Sequence, residues 1–288
     1  MAPTLLALFA SLAMAGPEPT AYLLGFDALE KKLAEPHFRL LDARPKADFD
    51  KGHIPGALWA DVKAAEALAA RPGGLTDRDA WAAWAAPLGI AEGDQVYVYD
   101  AKRQLDAART WWLIAHLGVA HVGLVDGGYP LWETQHRPTS AEVPKVAPTT
   151  FKVAIQAERR ADRADVLAAI EGRGIKVVDA RTDAEHTGER KNSRRGGHVP
   201  AACHLEWTTL VDADGRFLDR VALESKVAEL GIGPREPVIT HCQGGGRASV
   251  DAFVLERLGH PTRNYYLGWS DWGNAEETPI ETGRKAKP

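Results

Sequence analysis

The sequence predicts two tandem α/β domains, each a mainly parallel sheet flanked by helices on both faces. Three observations predict it. The chain is written twice, each copy alternates short apolar runs with helical stretches, and a proline-bearing segment without apolar periodicity separates the copies. At 288 residues, 45% of them hydrophobic, the chain is long for one average domain and ample for two cores.

The repeats fall in the same order with small insertions between them. FRLLDAR (Phe38–Arg44) returns as IKVVDAR (Ile175–Arg181), with Asp179 answering Asp42. GHIPGA from Gly52 returns as GHVPAA from Gly197. LGI at Leu88 and VYVYD at Val96 return at one shared offset, as LGI at Leu230 and VITHC at Val238. GGYPLW, ending at Trp132, answers LGWSDW, ending at Trp272. Five ordered matches mark a tandem duplication.

Within the copies, RLLDA and QVYVYD are brief apolar runs of the kind found in buried parallel strands. Thr76–Leu88 reads as a helix, with Thr76 and Asp79 placed like an N-terminal capping pair, and Ala222–Leu230 is its counterpart. A further helix is expected over Arg247–Leu258. RPTSAEVPKVAPTT (Arg137–Thr150) has no apolar period. The expected layout is a domain over 20–137, a linker over 138–150 and a domain over 151–288. Two such domains face each other, and ligand sites favour such junctions.

A net charge of −4 carries no basic signature for nucleic acid or an anionic membrane surface. Two cysteines, Cys203 and Cys242, exclude a disulfide scaffold, and their neighbours lack the paired spacing of a zinc site. His241–Cys242 and Cys203–His204 are adjacent in sequence, and adjacent strand residues face opposite ways. No metal and no organic cofactor is expected. At the N-terminus, Leu5–Leu12 is an apolar run too short to span a bilayer, and Ala13-Met14-Ala15 has the form of a signal-peptidase site. Residues 1–15 therefore read as a signal peptide, without the usual charged start, for a periplasmic or otherwise exported protein; a frayed start on a cytoplasmic protein is the alternative. No other segment reads as a membrane span.

The chemistry is carried by VITHCQGGGRAS (Val238–Ser249). In an α/β sheet, sites gather at the carboxyl ends of strands, where Cys242 stands. The glycines Gly244, Gly245 and Gly246 let the backbone curl and turn several N–H groups toward one point, ahead of a helix N-terminus. Such a ring stabilises a thiolate and whatever it carries. A buried cysteine behind a glycine turn is the competing reading, but it needs neither three glycines nor Arg247. Cysteine phosphatases place five residues between cysteine and arginine; Gln243–Gly246 supplies four, a tighter ring that suits one sulfur atom.

LLDARPKADFDKGHIPGA and HCQGGGRAS resemble the tandem-domain rhodanese family, the thiosulfate and 3-mercaptopyruvate sulfurtransferases, and the likeness runs from about Tyr22 to Trp272. The resemblance implies catalysis in the second domain alone. The first copy agrees, since Asp100 stands at the position of the repeat that matches Cys242, and AKRQLDAAR lacks the glycines. It also implies that the Cys242 thiolate takes a sulfur from a small donor as a persulfide and passes it to cyanide or a thiol. The loop Gln243–Arg247 would cradle the sulfur.

Two departures bear on the donor. The loop reads CQGGGR, nearer the thiosulfate-using branch than the CGSGVT-like loop of mercaptopyruvate-type members. Glu185 stands where those members carry a substrate arginine, so it is expected to repel a carboxylate. The basic stretch Arg190, Lys191, Arg194 and Arg195 could replace the missing cations or be a solvated loop; with Arg247, Arg190 and Arg195 are the candidates for substrate binding. Thiosulfate is the expected donor, with mercaptopyruvate, or a persulfide carrier serving a protein partner, as alternatives. Asp42, Arg44, Asp179, Arg181, His53 and His198 recur in both copies and read as structural anchors. Cys203 reads as a small buried hydrophobe, and Trp269 and Trp272 as pocket wall or core.

Overall fold

The computed structural model describes residues 21–172 and 174–284. The first copy is a five-stranded parallel sheet of β1 (Ala21–Leu24), β2 (Phe38–Asp42), β3 (Leu58–Trp59), β4 (Gln95–Tyr99) and β5 (His121–Val125), in the order β1-β5-β4-β2-β3. The second has β6 (Lys176–Asp179), β7 (Cys203–His204), β8 (Val238–His241) and β9 (Thr262–Tyr265), in the order β7-β6-β8-β9, again parallel. The duplication is thus a structural repeat. The counterpart of β1 is reduced to one parallel bridge between Arg160 and Asn264. Both sheets are the two-faced α/β kind that the apolar runs predict, with β8 fully buried.

Several helix starts are set by local side-chain caps. The expected helix over Thr76–Leu88 divides: a 3-10 turn over Gly74–Thr76, an α-helix over Arg78–Ala85, and a 3-10 turn over Ala86–Leu88. Its cap is Asp77, whose side chain accepts the Ala80 N–H, while the Thr76 hydroxyl donates back to the Gly73 carbonyl. Pro87 has no N–H to continue the α-helical ladder, so the tail tightens. The counterpart helix runs Arg220–Glu229 and is capped by Asp219. The helix after the cysteine loop runs Gly246–Arg257.

The copies meet along equivalent helices, Leu105–His116 and Gly246–Arg257. Trp111 meets Phe253 edge-on with ring centroids 5.0 Å apart, and Trp112 stacks on Tyr266 at 5.0 Å. One apolar cluster runs through both copies, and each large side chain fully buried there contributes about 1.5–3 kcal/mol. Residues 138–150 contain no helix or strand, but Ser140 pairs with His53 through N–H···O bonds of 2.8 and 2.9 Å. Residues 1–15, the expected leader, lie outside the described residues.

Candidate functional site

Cys242 follows the last residue of β8, an inner strand paired with β6 and β9, and is 2% exposed. Its carbonyl accepts the Trp269 N–H at 2.7 Å and that of Gln243 accepts the Ser270 N–H at 2.9 Å. The short helix Gly268–Trp272 thereby takes the loop carbonyls. Gly268 is needed for that approach, since a Cβ there would come within 2.2 Å of the Cys242 carbonyl oxygen.

The three glycines of the loop have separate causes. Gly245 is left-handed at φ 83°, and a Cβ would strike the Tyr266 ring at 2.4 Å. At Gly246 a Cβ would lie 2.5 Å from a guanidinium nitrogen of Arg109, a residue of the first domain. Gly244 has no neighbour within 4 Å of its would-be Cβ, so that side of the loop is open. The N–H groups of Gly244 and Ala248 have no backbone acceptor among the described residues. N–H groups left without an acceptor in a loop of this kind are available to an anion.

Arg247 binds Glu185 through two nitrogens, at 2.6 and 3.0 Å. Glu185, 2% exposed, also accepts the Thr182 hydroxyl and the Asn192 amide at 2.8 and 2.7 Å. Burial alone would raise this carboxyl, but Arg247 and Thr182 outweigh it and hold it down to about 2. Glu185 is therefore not the free repulsive carboxylate expected from the sequence: its charge is neutralised by the arginine of the loop, and that arginine is neutralised in turn. Burial holds His241 neutral, with its pKa brought down to about 4, and its Nε2 lies 3.9 Å from Asp179. Asp251, on the helix behind the loop, is 0% exposed, and neither carboxylate oxygen has a hydrogen-bond partner. Burial and the charges of Cys242 and Asp179 push it well above the usual carboxylate range.

The other candidate cations are placed differently. Arg195 donates to the carbonyls of Trp272 (3.0 Å), Ala275 and Thr278 (2.8 Å) and to the Thr278 hydroxyl, which makes it a clamp on the segment after the last helix. Arg190 is exposed, and its backbone N–H closes a turn onto the Ala184 carbonyl at 2.7 Å. Gln243 reaches the same segment, its amide donating to the Asn192 carbonyl at 3.2 Å and the Ser193 hydroxyl at 3.1 Å. Asp42–Arg44 and Asp179–Arg181 are buried ion pairs at 2.6 Å in matching positions. Trp269 and Trp272 belong to an apolar cluster with Val199 and Ile239, and Arg181 lies over the Trp269 ring at 4.2 Å. Cys203 is half-buried, donates to the Leu230 carbonyl at 3.6 Å, and has its thiol pushed up by burial. Among the described residues no group of three His, Cys, Asp or Glu is placed to hold a metal ion.

In the first domain the equivalent loop is filled by its own side chain. The buried Asp100 carboxylate accepts four backbone N–H groups, from Lys102 (3.0 Å), Gln104 (3.1 Å), Asp106 (2.8 Å) and Ala107 (3.1 Å). Without glycines, Arg103 and Gln104 take left-handed backbones at φ 55° and 75°. Both latch onto the second domain: Arg103 onto the Thr208, Val211 and Asp212 carbonyls, and Gln104 onto that of Gly215. Asp100→Ala is accordingly expected to cost stability, on the order of 3 kcal/mol for the orphaned donors, while turnover per folded molecule stays within about twofold. Thermal unfolding and active-site-normalised kinetics check this; a folded Asp100→Ala protein that has lost turnover would contradict it.

Two residues of this neighbourhood, Arg109 and Asp251, escape the sequence reading. They occupy the same position of the repeat, at the offset that also relates Asp100 to Cys242, each a buried charge within its helix. That pairing was the available signal.

The rhodanese-like domain family model matches residues 26–135 and again 162–275. The thiosulfate sulfurtransferase of Azotobacter vinelandii is 31% identical over 255 residues, covering 88% of this chain and 94% of that one. The sulfur carrier protein TtuD of Thermus thermophilus is 31% identical over 292 residues, covering 91% and 97%. The crystal structure of the 3-mercaptopyruvate sulfotransferase SseA from Escherichia coli superposes with a TM-score of 0.73 at 25% identity, covering 86% of this chain and 99% of that one. With a duplicated α/β fold and the family match present in both copies, the chain belongs to the rhodanese family of sulfurtransferases, as a tandem-domain member.

Proposed function

We propose that the protein is a thiosulfate:acceptor sulfurtransferase working through a persulfide on Cys242. The observation that carries this reading is the tight, glycine-rimmed loop with Cys242 at its floor, one open side at Gly244, and arginines on both flanks. The Cys242 thiolate attacks the outer sulfur of thiosulfate. A new S–S bond forms, the old one breaks, and its electron pair leaves with sulfite. An acceptor, cyanide or a thiolate, then attacks the terminal sulfur, and the Cys242 sulfur leaves as thiolate. Loop N–H groups hold the charge on the sulfurs in both halves.

Thiosulfate is favoured over mercaptopyruvate because a planar carboxylate calls for a free bidentate arginine. Arg247 already spends two nitrogens on Glu185, and Arg195 spends both terminal nitrogens on carbonyls. A relative whose name states thiosulfate sulfurtransferase agrees with this preference. The carrier alternative is favoured by one relative, the sulfur carrier protein. Steady-state kinetics with cyanide as acceptor is expected to give a higher kcat/KM for thiosulfate than for mercaptopyruvate, by about tenfold or more. The reverse order would select mercaptopyruvate, and a persulfide formed without turnover on either donor would select the carrier.

Export belongs to the same proposal. If residues 1–15 are a signal peptide, the protein from its native host begins near Gly16, and N-terminal sequencing that finds Met1 or Ala2 contradicts it.

A further inference from the structure

The cysteine-free domain sends one cation into the cysteine loop. Arg109, on the helix Leu105–His116, is 8% exposed. Its Nη1 donates to the Gly244 carbonyl at 2.8 Å and to the Tyr266 hydroxyl at 2.9 Å. Its Nη2 lies 3.1 Å from Glu66, a carboxylate whose side chain is 54% exposed. Its Nε is buried and has no acceptor. Gly246 is bare because this guanidinium occupies the space of its missing Cβ.

Two features separate this residue from an ordinary interdomain latch. Docking of the domains already has its own bonds, from Arg103 and Gln104 and from the Phe217 N–H to the Asp126 carboxylate at 2.9 Å. The two arginines of the loop also differ in charge balance. Arg247 is matched by Glu185, buried and bidentate, whereas Arg109 has a single contact to a carboxylate that water screens. A negative charge on Cys242 would act on both arginines.

We propose that Arg109 is a positioning residue for sulfur transfer: it fixes the Gly244 peptide, and with it the aim of the loop N–H groups, and it sets a weakly neutralised positive charge beside Cys242. The inference rests on Cys242 as the sulfur-bearing residue. It gives the first domain a part in the chemistry that its lost cysteine would deny it, because a dianionic donor approaching a thiolate needs a cation that is not already matched.

The test compares Arg109→Gln with Arg109→Lys in the full-length protein. It reads the rate of Cys242 alkylation by iodoacetamide at neutral pH, and kcat and KM for thiosulfate. Arg109→Gln is expected to slow alkylation and kcat by about tenfold while KM moves less than about threefold, and Arg109→Lys to recover to within about threefold of the parent. A folded Arg109→Gln protein with parental alkylation and kcat overturns the inference, as does a folded lysine variant as slow as the glutamine one. Should Arg109→Gln not fold, Gly246→Ala carries the test: its methyl displaces only the end of a flexible side chain, and Gly246 is not left-handed. The same loss of alkylation rate is expected, and a parental rate refutes the proposal. A parent protein that forms no persulfide on Cys242 would remove the function proposed above. A normal parent persulfide with an unaffected Arg109→Gln variant removes only this inference.

Discussion

Cys242→Ser is expected to lower sulfur transfer from thiosulfate by on the order of 10⁴-fold, with the fold intact. A serine hydroxyl cannot form the S–S bond on which the first half-reaction depends. The fold survives because the site is built by backbone contacts. The Trp269 and Ser270 N–H groups hold the loop carbonyls, Gly245 faces the Tyr266 ring, and Arg109 holds Gly244. In the apolar cluster with Ala180 and Ala248, the Cys242 side chain itself is small. Circular dichroism and thermal unfolding of Cys242→Ser should match the parent protein. A variant that keeps even a hundredth of the activity would show that another group carries the sulfur.

The second large effect concerns stability. Glu185→Ala is expected to cost about 3 kcal/mol, because it leaves the Arg247 guanidinium largely buried without its partner. That lowers the melting temperature by roughly 6–12 °C. The sign of its pH dependence follows from the carboxyl being held down, from 4.5 to about 2. Such a group contributes stability that is fully present above pH 4.5 and is lost as pH falls toward 2. The gap between parent and Glu185→Ala should therefore be full at pH 6 to 8 and close below roughly pH 4. A gap that widens toward acid would contradict the pairing. Glu185→Arg, which the sequence alone suggests as a route to mercaptopyruvate use, would set two guanidinium groups together and should be less stable still.

Much of this protein was legible in its sequence, because duplication makes each copy a control for the other. Paired DAR and GH elements located β2, β6 and the anchors Arg44 and Arg181, and an aspartate facing a cysteine across the repeat separated the two loops. The position of the loop between β8 and the following helix followed from its glycines. The rest depends on contacts between distant parts of the chain. Glu185 looked like a repulsive charge because nothing local shows Arg247 folding onto it from 62 residues away. Arg195 looked like a substrate cation because the carbonyls it clamps lie some 80 residues later. Arg109 reaches the Gly244 carbonyl across 135 residues and a domain boundary. The misplaced cap, Thr76 for Asp77, is a local matter, since a 3-10 turn and a helix start share the same residue types.

The most direct measurement is the mass of each cysteine-bearing peptide after the protein has met thiosulfate and been freed of it. The peptide carrying Cys242 should gain one sulfur atom, lose it on addition of cyanide with release of thiocyanate, and gain none in Cys242→Ser. The peptide carrying Cys203, whose thiol is pushed up by burial, should stay unchanged throughout. Sulfur found on Cys203, or on neither cysteine while turnover proceeds, would contradict the persulfide at Cys242.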